Sequence, residues 1–208
     1  MSIEFPMPNR PRPATLPGDR TLAGNGAGNG GPDIGAMIRV DQAGELGAKG
    51  IYAGQMAVLK DQPCAPLLAE MAAQEAAHLA KFDALVVERG VRPSILSPLW
   101  RAAGYGIGVG SALLGARAAM AVTVAVEEVI EQHYQEQLDA LDELDACENE
   151  ADLRASIAEF RADELAHRDT AQKEMALENG IKEAPAYQIL SRSVKAGTRL
   201  AIGLAKRF

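Results

Sequence analysis

Two stretches, "QEAAH" ending at His78 and "DELAH" ending at His167, each set a glutamate three positions before a histidine. They account for two of the chain's three histidines. On a helix, residues i and i+3 are neighbours on one face, so Glu75 with His78, and Glu164 with His167, each present an oxygen and a nitrogen donor together. A second repeat runs alongside the first. In "GELGAKGIYAGQ", Glu45 is followed by Tyr52 and Gln55, at +7 and +10; in "VEEVIEQHYQEQ", Glu127 is followed by Tyr134 and Gln137 at the same offsets. Offsets of 7 and 10 return to nearly one face of a helix, so two further helices carry the same Glu, Tyr, Gln face. The chain order is then Glu, Glu-x-x-His, Glu, Glu-x-x-His. That order is expected of four helices that aim these side chains at a common centre.

Composition agrees with helices. Of 208 residues, 48 % are hydrophobic but only 4 % aromatic, and much of the apolar content is alanine, the best helix former. No stretch alternates with period two, so no strand is required. Residues 1–32, "MSIEFPMPNRPRPATLPGDR" followed by a glycine-rich run, read as a Pro/Gly-rich flexible tail. Those glycines follow no strand, so they do not read as a nucleotide loop. The tail lacks an apolar secretory core. Residues 33–208 read as one domain.

A first helix is predicted after Pro32 with Asp33 as N-cap, and a second is closed by Gly90 and Pro93. A third helical region runs from Pro98 to about Leu144, apolar at its start and polar at its end. A fourth ends at Gly180, and a basic amphipathic fifth follows Pro185. Short links within each pair, with 49 positions between His78 and Glu127, give two helical hairpins joined by a long connection. This is an all-α, ferritin-like four-helix bundle with a long crossover between helices two and three.

Four carboxylates and two imidazoles without a thiolate suit a pair of iron or manganese ions better than structural zinc. Burying so many carboxylates is tolerable only when cations compensate them. The metal ligands expected are Glu45, Glu75, His78, Glu127, Glu164 and His167. Register with Glu45, Tyr52 and Gln55 selects Glu127 over its neighbour Glu128, which sits about 100° round the helix. Glu128, and Glu131 one turn below Glu127, read as surface or supporting carboxylates. Asp163 and Gln74 each precede a Glu-x-x-His glutamate; they either orient the histidine of the facing helix or are plain helix-surface residues. Tyr52 and Tyr134 are core tyrosines or hydrogen-bonding groups beside the site. His133 is open between proton transfer, substrate contact and a solvated position. Cys64 and Cys147 form neither a disulfide framework nor a zinc spacing, and read as reduced, semi-buried thiols. The net charge of -7 argues against nucleic acid as a partner.

"RVDQAGELGAKGIYAGQ", "PLWRAAGYGIGVGSALLGARAAMAVTVAVEEVIEQHY" and "FRADELAHRD" resemble the demethoxyubiquinone hydroxylase family of ubiquinone biosynthesis, from about Ile34 to Phe208. The resemblance implies a ferritin-like di-iron monooxygenase acting on the ring of a polyprenylated methoxy-methyl-benzoquinol. It implies two iron ions per chain, with Glu75 and Glu164 bridging, Glu45 and His78 completing one iron and Glu127 and His167 the other. Dioxygen is the implied co-substrate, and the reductant is external, NADH or the quinol itself. His133 falls on a histidine found in other members; His133 and Tyr134 are the candidate catalytic residues beyond the ligands. Where the family often reads Asp-His-Ala-Gly-Glu, this chain has Gln42, which puts any role of position 42 in doubt.

A polyprenyl substrate resides in the bilayer. Residues 102–116 are uncharged, but their glycines and Arg117 make a poor spanning helix, which needs about 20 apolar residues. A monotopic attachment is expected instead, with additional amphipathic membrane-contacting helices and a basic stripe of Arg192, Lys195 and Arg199 at the headgroups. The alternative for that stripe is packing on the acidic bundle. The expected location is peripheral, on the cytoplasmic side of a bacterial cell membrane, since the tail carries Glu4 and Asp19 and no transit pattern. Homo-oligomers or other ubiquinone-biosynthesis proteins are possible partners. The competing reading is a soluble di-iron oxidase or iron-storage protein on the same scaffold.

Overall fold

The computed structural model describes residues 31–143, 150–177 and 185–208. The tail to residue 30, Cys147 and the expected stop at Gly180 lie outside them. Six helices follow in order: α1 (Ile34–Leu59), α2 (Ala65–Glu88), α3 (Ser97–Leu113), α4 (Ala116–Asp142), α5 (Ala151–Leu177) and α6 (Pro185–Ala205). Among the described residues there is no strand.

Local chemistry sets the boundaries. Asp33 caps α1 as expected, its Oδ1 accepting from the Ala36 amide at 2.9 Å. Pro66 and Pro98 sit in the first turns of α2 and α3, where a missing N–H costs nothing. Beyond α2, Gly90 adopts φ 61°, a left-handed conformation that glycine takes without penalty. The third predicted region divides into α3 and α4 instead of forming one helix. Gly115, at φ 105°, breaks it, because no helix continues through that backbone angle.

Helices α1, α2, α4 and α5 form the bundle, and the long crossover contains α3. Two apolar clusters close the bundle at its two ends. One gathers Ile38, Phe82, Tyr134, Leu138, Leu153 and Phe160; the other gathers Tyr52, Leu68, Met71, Ala119, Met120 and Ala171. Buried Cys64 belongs to the second. Each cluster draws on all four helices, and the polar layer of glutamates and histidines lies between them.

Helices α3 and α6 lie outside the bundle. Helix α3 crosses α1 so closely that a Cβ on Gly104 would stand 2.2 Å from the Gly47 carbonyl oxygen, and one on Gly108 2.1 Å from that of Ile51. Leu190 and Val194 of α6 pack on Ile51, Val122 and Val126. The chain end is tied back by Ile95 N, which donates to the Phe208 carbonyl at 2.8 Å. Between α1, α3, α4 and α6 runs an apolar cavity of about 390 Å³. No helix among the described residues is long and apolar enough to cross a membrane.

Candidate metal centre

Six side chains expected at the centre are all buried: Glu45, Glu75, His78, Glu127, Glu164 and His167. Their donor atoms fall into two overlapping groups. Glu45, Glu75, His78 and Glu164 form one, and Glu75, Glu127, Glu164 and His167 the other, with the ligand atoms of each within 4.8 Å of one another. Glu75 and Glu164 belong to both. Each imidazole turns Nδ1 inward. His78 Nδ1 lies 3.6 Å from Glu164 and 3.8 Å from Glu45, and His167 Nδ1 lies 3.2 Å from Glu75 and 3.6 Å from Glu164.

The outward nitrogens explain that orientation. His78 Nε2 is 3.0 Å from Asp163 Oδ2, and His167 Nε2 is 2.6 Å from Gln74 Oε1. Both partners are acceptors, so the ring proton belongs on Nε2 and the Nδ1 lone pair points to the centre. Asp163 and Gln74 thus hold the histidine of the facing helix, the first of the two alternatives open from sequence.

The tyrosines act across the bundle as well. Tyr52 Oη donates to Glu127 Oε1 at 2.7 Å, and Tyr134 Oη donates to Glu45 Oε1 at 2.6 Å. Each glutamate keeps its second oxygen for the interior. Gln55 and Gln137 miss the ligand layer. Gln55 donates to the Ala119 carbonyl and lies near Thr123, while Gln137 donates to Asp41 at 2.8 Å. His133 is buried with them, 3.0 Å from Gln137 and 3.5 Å from Asp41, which removes the solvated alternative. Asp41 is a site neighbour that sequence reasoning missed; its signal was its position one turn before Glu45. Burial raises the Asp41 carboxyl above its usual range, against the opposing effect of His133 and Gln137.

Glu128 and Glu131 turn elsewhere. Glu128 pairs with Lys195, and Glu131 with Arg161. Lys195 is therefore turned to the acidic bundle and leaves the expected basic stripe, while Arg192 and Arg199 remain exposed. Gln42 is buried and donates to Asp83 at 2.7 Å, tying α1 to α2.

Electrostatics make the centre costly as a purely proteinaceous cluster. Burial first, then repulsion between neighbouring carboxylates, pushes Glu45, Glu75 and Glu127 well above the usual range. Burial opposes ionisation of Glu164 too, but the neighbouring imidazoles of His167 and His78 outweigh it and hold that carboxyl low. Burial works against the His78 imidazolium, yet Glu164, Glu45 and Asp163 together raise it above an ordinary histidine. The inward atoms Glu45 Oε2, Glu127 Oε2, both oxygens of Glu75 and of Glu164, and both Nδ1 atoms have no hydrogen-bond partner. Eight unpaired acceptor-type atoms converging in a dry interior fit divalent cations, which would satisfy all of them.

The model of the family described as "Ubiquinone biosynthesis protein COQ7" matches residues 32–205. A Rhodospirillum rubrum protein named 3-demethoxyubiquinol 3-hydroxylase is 47 % identical over 175 residues, 84 % of this chain and 78 % of the relative. A Dictyostelium discoideum protein named NADPH-dependent 3-demethoxyubiquinone 3-hydroxylase, mitochondrial, is 50 % identical over 171 residues, covering 82 % and 76 %. A Homo sapiens protein of that name is 47 % identical over 171 residues, with the same coverage. The match spans both Glu-x-x-His helices, both Glu-Tyr-Gln helices and the crossover between them, and on that ground the chain belongs to the COQ7 family of ubiquinone biosynthesis proteins.

Proposed function

We propose that this chain hydroxylates the ring of a polyprenylated methoxy-methyl-benzoquinol, demethoxyubiquinol, with dioxygen as co-substrate. Glu45, Glu75, His78, Glu127, Glu164 and His167 would hold two iron ions, Glu75 and Glu164 being shared between them. The observation that carries the reading is the convergence of eight unpaired donor atoms in two overlapping groups. When bound, such a pair supplies two-electron reduction of dioxygen and delivery of one oxygen atom to the ring.

The chain's own residues supply the rest. Tyr52 and Tyr134 fix the terminal glutamates, and Asp163 and Gln74 fix the histidines, so the donor set is preorganised. His133, bracketed by Asp41 and Gln137 in a buried network one residue from Tyr134, serves as the proton-handling group. The apolar cavity takes the quinol. Gly44 and Ala48, which bracket Glu45, line it, as do Val126 and Ile130, which bracket Glu127. Its walls of small and aliphatic side chains exclude water from the reacting ring.

The same cavity is roofed by the helices that would meet the membrane. Helix α3 exposes Leu99, Tyr105, Ile107 and Leu113, Leu114 follows it, and α6 and the chain end expose Ile189, Leu200 and Phe208. So much exposed apolar surface on two neighbouring helices supports peripheral, monotopic attachment to the membrane that holds the quinol. The reductant is external. A nicotinamide nucleotide agrees with the NADPH in the names of the Dictyostelium discoideum and Homo sapiens relatives, and is favoured over the quinol itself.

Expression in a strain lacking its own hydroxylase tests the reading. Ubiquinone should reappear with the native chain and not with Glu164→Ala. Persistent demethoxyubiquinone despite soluble, iron-loaded protein would overturn it.

A further inference from the structure

The centre obeys an approximate twofold relation that exchanges α1 with α4 and α2 with α5. Glu45 answers to Glu127, Tyr134 on Glu45 to Tyr52 on Glu127, and Glu75 with His78 to Glu164 with His167. The residue preceding each Glu-x-x-His motif reaches the opposite histidine. There the relation fails, because His78 is backed by the carboxylate of Asp163 and His167 by the neutral amide of Gln74.

The rings differ in their surroundings too. Phe160 stacks on His78 with centroids 4.0 Å apart, whereas Tyr52 stands edge-on to His167 at 6.4 Å. Asp163 keeps its side chain 37 % exposed on a water-accessible pocket of about 310 Å³ that Gln74, Lys81 and Glu159 share. Its charge is thereby tolerated next to a buried imidazole.

A carboxylate accepting from Nε2–H draws the proton outward and pushes electron density onto Nδ1; an amide oxygen does so weakly. The Gln74 contact is the shorter by 0.4 Å (3.0 Å against 2.6 Å). A full negative charge nevertheless outweighs a small gain in distance to a neutral dipole.

We propose that the two metal positions are inequivalent, and that Asp163 and Gln74, as positioning residues, set the order in which they fill. The position of Glu45 and His78 fills first and binds more tightly; that of Glu127 and His167 fills second. This rests on the metal reading above and adds to it a division of labour between two nearly identical ligand sets. Exchange of one backing residue should change affinity about 10- to 100-fold, the usual weight of a partner behind a metal-bound histidine.

The test is anaerobic titration of the metal-free, full-length protein with cobalt(II), followed by its visible absorption and by calorimetry. The native chain should take up two ions in two resolved steps of one each. Asp163→Asn should weaken the first step about 10- to 100-fold and leave the second nearly unchanged. Gln74→Glu should tighten the second step until the two merge, a gain that mere structural damage cannot produce. A single unresolved step for both ions in the native chain, or equal weakening of both steps by Asp163→Asn, would overturn the inequivalence while leaving the metal centre in place. Absence of cobalt binding, or binding indifferent to Glu75→Gln and Glu164→Gln, would overturn the metal centre and the proposal with it.

Discussion

The glycines at the α1–α3 crossing can be replaced one methyl group at a time, with a calculable result. A Cβ at Gly104 would lie 2.2 Å from the Gly47 carbonyl oxygen and one at Gly108 2.1 Å from that of Ile51. Ordinary carbon–oxygen contacts begin at about 3.3 Å, so α3 must move outward by roughly 1 Å to admit either methyl. Backbone meets backbone at both places, and no side chain can swing aside. Gly104→Ala and Gly108→Ala should each cost about 1–3 kcal/mol, less the gain of about 1 kcal/mol from helix propensity. For a domain of this size that lowers Tm by roughly 2–4 °C per kcal/mol. The displacement that relieves one clash relieves the other, so the double variant should fall short of the summed effect. Gly106→Ala and Gly110→Ala, where a Cβ meets nothing within 4 Å, should be neutral or stabilising. Thermal melts of the four single variants and the Gly104/Gly108 double are the assay. Helix α3 carries no ligand but lines the apolar cavity with Trp100, Ala103 and Ile107. Iron content should therefore hold while KM for a long-chain quinol rises. A Tm for Gly104→Ala as high as that of Gly106→Ala, or strict additivity in the double, would refute the close-approach argument.

Two further outcomes are expected. Glu127→Gln should abolish activity and reduce metal uptake, whereas Glu128→Gln, which only breaks the Lys195 pair, should keep most activity and cost about 0–1 kcal/mol in stability; the reverse order in iron content and turnover would contradict the register. Charge reversal at the exposed Arg192 and Arg199 should weaken flotation with anionic liposomes by about 1 kcal/mol per charge at low salt, while Lys195→Glu should act through its bundle contact and lower Tm instead; equal flotation of all variants would remove α6 from the membrane contact.

Much of the centre was legible because helical period alone brings its parts together. The offsets of 3, 7 and 10 are properties of one helix, so Glu75–His78, Glu164–His167 and the Glu-Tyr faces could be placed without knowing how the helices pack. What crosses between helices was not legible to the same degree. That Tyr52 bonds Glu127 instead of the glutamate on its own helix depends on the antiparallel packing of α1 and α4. Asp41 went unnoticed because its partners, His133 and Gln137, come from 92 and 96 positions away. The division of α3 from α4 turned on the backbone angle of Gly115, and the preceding "GYGIGVG" offered several glycines as candidate breaks. Of those glycines, Gly104 and Gly108 serve the crossing with α1. Lys195 was assigned to the basic stripe by spacing, but its side chain is drawn to Glu128 by a charge that spacing does not reveal.

The bundle has two unlike sides, and the ligands are distributed accordingly. Helices α1 and α4, each giving one glutamate, border the apolar cavity through Gly44, Ala48, Val126 and Ile130. Helices α2 and α5, each giving a glutamate and a histidine, border a polar pocket through Gln74, His78 and Asp163. A carboxylate beside the apolar side can be anchored through one oxygen by a buried phenol and needs no water, which is what Tyr134 and Tyr52 provide. An imidazole needs a partner for its second nitrogen. On the polar side, that partner can carry a charge that water stabilises, as Asp163 does. Interchanging the two sides would bury Asp163 against aliphatic walls and expose the Glu–Tyr pairs to solvent, at a cost to both. The candidate ligand types therefore follow from which flank is dry.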